Sequence, residues 1–215
     1  MKSALRVFTF VILVLGLTAC RKQITATEVE MAEYGWDLYA QKNFTESNHW
    51  FANAILQDST YKDGYNGLGW TFGKLMELDS SVIYFTRGLP YAQDPNILAN
   101  TKREMWAGLC FANEARGTHQ EAIAWGDSLL TEIAALTPPT WSFSHDTTLN
   151  HLDIHLTMAM SYYSLGRFSP SLDHVRTIVT ALNPTASFTA DTTTVAGRQA
   201  LANEIETLRG ILATP

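Results

Sequence analysis

The stretch "EVEMAEYGWDLYAQKNFTESNHWFANAILQDSTY" (28–61) is followed directly by "KDGYNGLGWTFGKLMELDSSVIYFTRGLPYAQDP" (62–95), and the two align without a gap over 34 residues. Small and large residues recur at the same offsets, beginning with Gly35 over Gly69. An internal repeat of this length indicates an array of similar supersecondary units. The other matched pairs are Trp36 over Trp70, Phe44 over Leu78, Ser47 over Ser81, Phe51 over Phe85, Ala54 over Gly88 and Ile55 over Leu89.

A period of 34 with this order of small and large residues resembles the tetratricopeptide repeat (TPR). In that family each unit is a pair of antiparallel helices. Small residues lie where the helices cross closely, and an aromatic side chain fills the space beside each crossing. A single helix pair cannot bury its apolar face, so such units have to stack. The resemblance therefore implies an all-α solenoid.

Two less regular units follow, at 103–136 and 152–185, and a fifteen-residue insertion (137–151) separates them. In the first of these units Cys110 takes the small crossing position, which predicts a buried, unreactive thiol. Gly126 stands where the family has its large aromatic residue. The matching positions are Trp106, Leu109, Gly117 and Ala122 in one unit, and Ala159, Tyr162, Gly166, Phe168 and Ser171 in the other.

The C-terminal segment, 186–215, places Leu201, Ile205, Leu208 and Leu212 on a single helical stripe. Such a helix suits the open end of a solenoid. The predicted fold is thus an all-α, TPR-like α-solenoid of about four repeats with a C-terminal capping helix. The four repeats are 28–61, 62–95, 103–136 and 152–185.

The N-terminal sequence has the features of a targeting segment. Lys2 and Arg6 precede the uncharged run "VFTFVILVLGL", which is too short to span a membrane but suits a signal peptide. The run ends in "LTAC" (17–20), which resembles the bacterial lipobox. The resemblance implies that 1–19 is removed, that Cys20 carries acyl chains, and that 20–27 is a lipidated tether. The alternative is a short N-terminal anchor helix with an incidental Cys20.

The lipobox implies a place in the bacterial cell envelope, anchored to the membrane through lipid. Arg21, in place of the Asp that resembles an inner-membrane retention signal, favours the periplasmic face of the outer membrane. The net charge is −6 and no run of Lys or Arg forms a basic stripe, so no nucleic-acid partner is expected. With Cys20 acylated, Cys110 would be the one free cysteine in the mature chain, which excludes a disulfide framework.

Three histidines and two aspartates crowd into "SFSHDTTLNHLDIH" (142–155). His151 and His155 have the spacing of metal ligands on a helix, yet "SFTADTT" (187–193) nearly copies the first half and lacks His145. The shared residues favour a helix start, with Asp or Thr as N-cap, over a metal site. A metal-dependent enzyme using His145, His151 and His155 stays as an alternative. No catalytic residue, metal or cofactor is predicted.

In the resembled family the first helix of each unit lines a concave groove. Carried over by position, a row of large apolar side chains follows this face, and Trp and Tyr are common interface anchors. The alternative is that these residues pack on one another or under the 137–151 insertion. The predicted groove residues are Trp36, Tyr39, Asn66, Trp70, Lys74, Phe111, Glu114, Met160 and Tyr163.

These features predict a non-catalytic, membrane-anchored interaction scaffold or assembly factor that binds a peptide or partner protein in the groove. Only Asn66 and Lys74 resemble the carboxylate clamp of chaperone-binding relatives, so a peptide's terminal carboxylate is not the expected ligand. A small-ligand carrier using the same aromatic groove is a further alternative.

Overall fold

The computed structural model describes residues 26–97 and 100–213. Within these ranges the chain is mostly helical, with nine helices and one two-stranded sheet, and the prediction of an all-α protein is confirmed. The elements are α1 (Glu28–Ala40), α2 (Phe44–Gln57), α3 (Lys62–Lys74), α4 (Leu78–Gly88), α5 (Thr101–Ala115), α6 (His119–Ile133), β1 (Ser142–Phe143), β2 (Asp146–Asn150), α7 (His151–Ser164), α8 (Phe168–Leu182) and α9 (Val195–Leu212).

The helices pack in chain order. The most extensive contacts join α1 to α2, α3 to α4, α5 to α6 and α7 to α8, and each pair also contacts the next. The first helices of the four pairs (α1, α3, α5 and α7) touch one another in succession, and we call them the central row. Each pair thus buries its apolar side partly against itself and partly against its neighbours.

One hydrogen bond recurs at the crossings within the pairs. The Ser47 hydroxyl donates to the Gly35 carbonyl at 2.7 Å, and Ser81 does the same to Gly69 at 2.8 Å. Ser171 repeats the bond to the Ala159 carbonyl at 2.8 Å in the last pair. All three serines are buried, so each hydroxyl finds its partner in the backbone of the facing helix.

A large side chain fills the space beside the crossings in the first two pairs, and the backbone of the next pair approaches it closely. A Cβ atom at Gly67 would lie 2.3 Å from the Phe51 ring, and one at Gly108 would lie 2.2 Å from the Phe85 ring. In the third pair, where Gly126 replaces the aromatic residue, the Met158 side chain from α7 occupies the space. A neighbouring unit therefore compensates for the missing ring.

The segment that precedes α7 does not start that helix in the predicted way. Strands β1 and β2, with the residues between them, form a hairpin that we call the 142–150 hairpin. The N-cap of α7 is Asn150, which makes a capping box with Asp153. The prediction of Asp or Thr as N-cap is wrong there, because Asp146 instead closes a turn by accepting the Thr148 N–H and hydroxyl.

The second copy, "SFTADTT", makes the same turn. Asp191 Oδ1 accepts the Thr193 N–H at 3.0 Å and its hydroxyl at 2.6 Å. Thr194, directly after the copy, is the N-cap of α9 and accepts from Gly197 N–H. What the two copies share is therefore an Asp-x-Thr turn; only the second leads straight into a helix.

The predicted stripe on the C-terminal helix packs inward. Leu201, Ile205 and Leu208 are buried, and α9 contacts both α7 and α8. Cys110 is also buried, and burial raises the pKa of its thiol, in agreement with its prediction.

The predictions for the signal peptide (1–19) and for Cys20 lie outside the described residues, as does most of the 20–27 tether. Between residues 26 and 213, leaving aside 98–99, no helix is both long and apolar enough to cross a membrane.

Candidate binding groove

The 142–150 hairpin lies on the central row and inserts one aromatic ring into it. Phe143 is 0% exposed, and its ring stacks on Trp70 with 4.1 Å between centroids and 21° between planes. Trp36 and Tyr39 meet the same ring edge to face, at 5.9 and 6.0 Å. Offset-stacked and edge-to-face pairs each contribute about 0.5–1.5 kcal/mol beyond the burial of their area. We call the side chains of Trp36 and Tyr39 from α1 and Trp70 from α3 the aromatic box.

The imidazole of His145 covers the outer side of the box. It stacks on Trp36 with 3.6 Å between centroids and 6° between planes. Burial lowers the pKa of His145 to about 4, so the ring is neutral at pH 7. His145 therefore acts as a flat, uncharged cover in this arrangement.

The polar half of the groove is centred on Glu104 of α5. One carboxylate oxygen accepts the Ser144 backbone N–H at 3.1 Å and also the Ser144 hydroxyl. The other oxygen accepts the Asn66 amide N–H at 2.7 Å. Burial raises the pKa of Glu104 to about 6, although the hydrogen bonds from Ser144 and Asn66 oppose the increase. Glu104 thus holds both the main chain and a side chain of the hairpin.

A second buried carboxyl group lies beside Glu104. Asp63 accepts the Trp36 indole N–H at 2.8 Å and a longer bond from Asn66 at 3.4 Å, so Asn66 bridges the two acids. Burial raises the pKa of Asp63 as well. The neighbouring Lys62 ammonium donates to the Leu89 and Tyr91 carbonyls instead of to either acid. The groove floor therefore disfavours a further negative charge.

Four of the predicted groove residues lie under or beside the hairpin. Trp36, Tyr39, Asn66 and Trp70 are all buried, none more than 7% exposed. The structure thus shows the alternative for them, in which the 137–151 insertion covers the aromatic row. The physical reason is that two indoles facing water would be costly, and the chain covers them with its own apolar segment.

The other five predicted residues lie at two separate places. Lys74 and Phe111 line an open, largely apolar pocket of about 240 Å³ between α3 and α5, with Leu149 of the hairpin as one wall. Glu114, Met160 and Tyr163 line a depression of about 190 Å³ that α9 borders. The nine residues are therefore not one continuous surface.

Sequence reasoning did not select Phe143 and Glu104 as anchors of the groove. The signal for Phe143 was present, because the second copy of the segment keeps this phenylalanine as Phe188. Phe188 packs on the apolar cluster of α7, α8 and α9, so both copies pack their phenylalanine onto the helices.

The histidines of the alternative metal site point to different neighbours. His145 faces Trp36, whereas His155 Nδ1 lies 2.8 Å from His174 Nδ1 on α8. In the part of the chain that the structure describes, no three His, Cys, Asp or Glu side chains are grouped to hold a metal ion.

No protein-family model matches this chain, and no curated protein matches it either.

Proposed function

We propose that this chain is a TPR-like solenoid, anchored to the membrane by lipid, that holds a peptide segment of a partner protein as a scaffold or assembly factor. The observation that carries the proposal is the 142–150 hairpin itself. Its Phe143 fills the aromatic box and its Ser144, in the turn that follows, bonds to Glu104, so the central row already accommodates the tip of a hairpin. The hairpin occupies the position that a partner's segment takes.

Two features support the solenoid. The sequence period of 34 residues reappears as the serine-to-carbonyl bond in three of the four helix pairs. The first helices of the pairs also contact one another in succession, as stacked units do.

The anchor rests on the "LTAC" motif and Cys20. Growth with a labelled fatty acid should label the wild-type protein and leave Cys20→Ala unlabelled. The wild type should also float with outer-membrane vesicles, whereas Cys20→Ala, which lacks the acylated residue, should not. Equal labelling of the two proteins would overturn the anchor.

A partner segment reaches the groove through the open pocket beside the hairpin. The pocket adjoins Trp70 and ends at Leu149, so a chain docked there touches the hairpin and can replace it. Replacing the hairpin means withdrawing a buried phenylalanine; the loss of its burial alone costs about 1.5–3 kcal/mol, and the partner's own side chains have to offset this and the lost ring contacts.

In-cell photocrosslinking tests the proposal at matched positions. Met76 is 72% exposed and lines the pocket, while Leu56 is 81% exposed on α2 and is not part of its lining. A crosslinker at 76 should capture a defined partner, and one at 56 should not. Capture at neither position, or the same adducts at both, would contradict a peptide-binding role for this face.

The 240 Å³ pocket also favours a second candidate function, the carriage of a small apolar ligand, because Trp70, Phe111 and Leu149 line it. Quenching of intrinsic tryptophan fluorescence by apolar ligands would support this function if Phe111→Ala abolished it.

A further inference from the structure

We propose that the groove selects a peptide turn in which an aromatic residue is followed directly by serine or threonine and then by a flat ring, with no acidic residue at the serine position. This inference rests on the proposed function and names the chemistry of its partner. The template is the chain's own sequence, Phe143, Ser144 and His145, as it lies on the central row.

The first position is set by the aromatic box. The Phe143 ring is stacked on Trp70 on one side and met by the edges of Trp36 and Tyr39 on the others. An aliphatic side chain would fill part of the volume but would forfeit the ring-to-ring contacts. The box is therefore specific for a ring.

The second position is set by Glu104. A single oxygen of its carboxyl group takes two hydrogen bonds from Ser144, one from the backbone and one from the hydroxyl. A proline there would lack the N–H, and an alanine would lack the hydroxyl. An acidic residue would bring a third carboxyl group next to Glu104 and Asp63, with no cation bonded to either acid among the residues that the structure describes.

The third position is set by the outer face of Trp36. The imidazole of His145 lies parallel to the indole at 3.6 Å, in a place where its pKa falls because of burial. A neutral flat ring fits this contact, and a branched aliphatic side chain would forfeit the parallel stacking.

The second copy of the segment gives a peptide that meets only part of the proposed sequence requirement, so its affinity should be intermediate. Residues 187–193 keep the phenylalanine and a hydroxyl (Phe188 and Thr189) but have Ala190 in place of the ring. A peptide with this sequence satisfies two of the three positions. We expect it to bind more weakly than the template peptide and more strongly than a peptide without the phenylalanine.

The test uses the full-length protein with its own hairpin removed from the groove. Phe143→Asp places a carboxylate in the box beside two buried acids, which should eject the hairpin. Labelled peptides are then titrated into wild type and variant, with fluorescence anisotropy as the readout. The peptides are "TWSFSHDTTL" (140–149), the same peptide with Phe143→Ala, the same peptide with Ser144→Pro, and "TASFTADTTT" (185–194).

The template peptide should bind Phe143→Asp at least about tenfold more tightly than wild type, since wild type already has its groove filled. The Phe143→Ala and Ser144→Pro peptides should each lose about tenfold or more in affinity for the variant, and the 185–194 peptide should lie between them and the template. Adding Trp70→Ala to the variant should abolish template binding.

Two outcomes separate failure of this inference from failure of the proposed function. If all four peptides bind the opened variant equally, the sequence chemistry is wrong and the groove as a peptide site remains. If none of the four peptides binds although the tryptophan emission shows that the aromatic box is open to water, both the sequence preference and the proposed peptide-binding function are wrong. Should Phe143→Asp fail to fold by circular dichroism, Ser144→Pro in the protein replaces it, because it releases the bonds to Glu104 without adding a charge.

Discussion

The rings of Phe143 and Trp70 lie face to face at 4.1 Å, and both side chains are buried. This contact joins the insertion to α3, far earlier in the chain, and turns the predicted aromatic row into an interior. The groove in this conformation is consequently filled by a segment of the same molecule.

Removing the ring of Phe143 should be costly. Phe143→Ala deletes a fully buried side chain and four aromatic ring contacts, so we expect a loss of about 3–5 kcal/mol in the free energy of unfolding. The tryptophan emission should shift to longer wavelength as Trp36 and Trp70 meet water. Urea denaturation measures the loss, and Leu56→Ala, at an exposed site, should change stability by less than about 0.5 kcal/mol.

The raised pKa of Glu104 predicts a stability that depends on pH. A carboxyl group whose pKa rises from 4.5 to about 6 on folding contributes stability below pH 4.5, and this contribution is lost as the pH rises through 6. The loss amounts to about 2 kcal/mol. In Glu104→Gln the part of the pH dependence due to this group should vanish, while the part due to Asp63 remains.

Denaturation curves at several pH values between 4 and 7 measure this effect. Glu121→Gln, at an exposed position of α6, is the matched control and should keep the wild-type curve. An unchanged pH profile in Glu104→Gln would mean that Glu104 is not the group that titrates.

The lowered pKa of His145 should give a pH dependence of stability opposite to that of Glu104. Its pKa falls from 6.5 to about 4 on folding, so its contribution is present above pH 6.5 and is lost as the pH falls through 4. The loss is at most about 3 kcal/mol, and less to the extent that solvent screens the partly exposed ring. His145→Phe keeps the stack on Trp36 and removes the titration, so this variant should be more resistant to acid than wild type.

The chemical shifts of the histidine ring protons, followed by NMR as the pH falls, check the assignment directly. A His145 resonance that titrates at its ordinary position would refute the packed, neutral imidazole. His49→Gln, exposed on α2, serves as the control for stability and should leave the acid limb unchanged.

The close approach of Gly108 on α5 to Phe85 on α4 gives a prediction about how neighbouring helix pairs stack. A Cβ there would lie 2.2 Å from the Phe85 ring, so Gly108→Ala should destabilise the protein by about 1–3 kcal/mol even though alanine favours helix. Gly210→Ala, in α9, meets nothing within 4 Å and should stabilise by up to about 1 kcal/mol. Thermal unfolding of the two variants decides the matter, and a stabilised Gly108→Ala would show that the crossing is looser.

The helix pairs could be predicted from the sequence because the residues that define them are close in the chain. Gly35, Ser47 and Phe51 all belong to one pair, and their pattern recurs with the period. The hairpin could not be predicted in this way. Its "DTT" suits a helix start and a turn equally well, and the contact of Phe143 with Trp70 depends on how the whole row is stacked.

Only part of the candidate site could be predicted from the sequence, for the same reason. Trp36 and Trp70 were selected because position in the repeat put them on one face. What covers that face depends on which apolar segment can reach it, and periodicity carries no information about a non-repeating insertion. The polar partner of the hairpin, Glu104, is also at a groove-lining position of its repeat, but nothing in the sequence distinguishes it from the other residues at such positions; its role follows only from the bond with Ser144.

Asn150 both ends β2 and caps α7, and His151 N–H bonds back to the Trp141 carbonyl, so no linker separates the hairpin from the helix. A hairpin that leaves the groove therefore strips α7 of its cap, at a cost of about 1 kcal/mol or more. Departure of the hairpin from α1 and α3 and fraying of the first turn of α7 are therefore coupled. Because α7 also contacts α9, the hairpin, α7 and the C-terminal helix form one continuous run of packed elements.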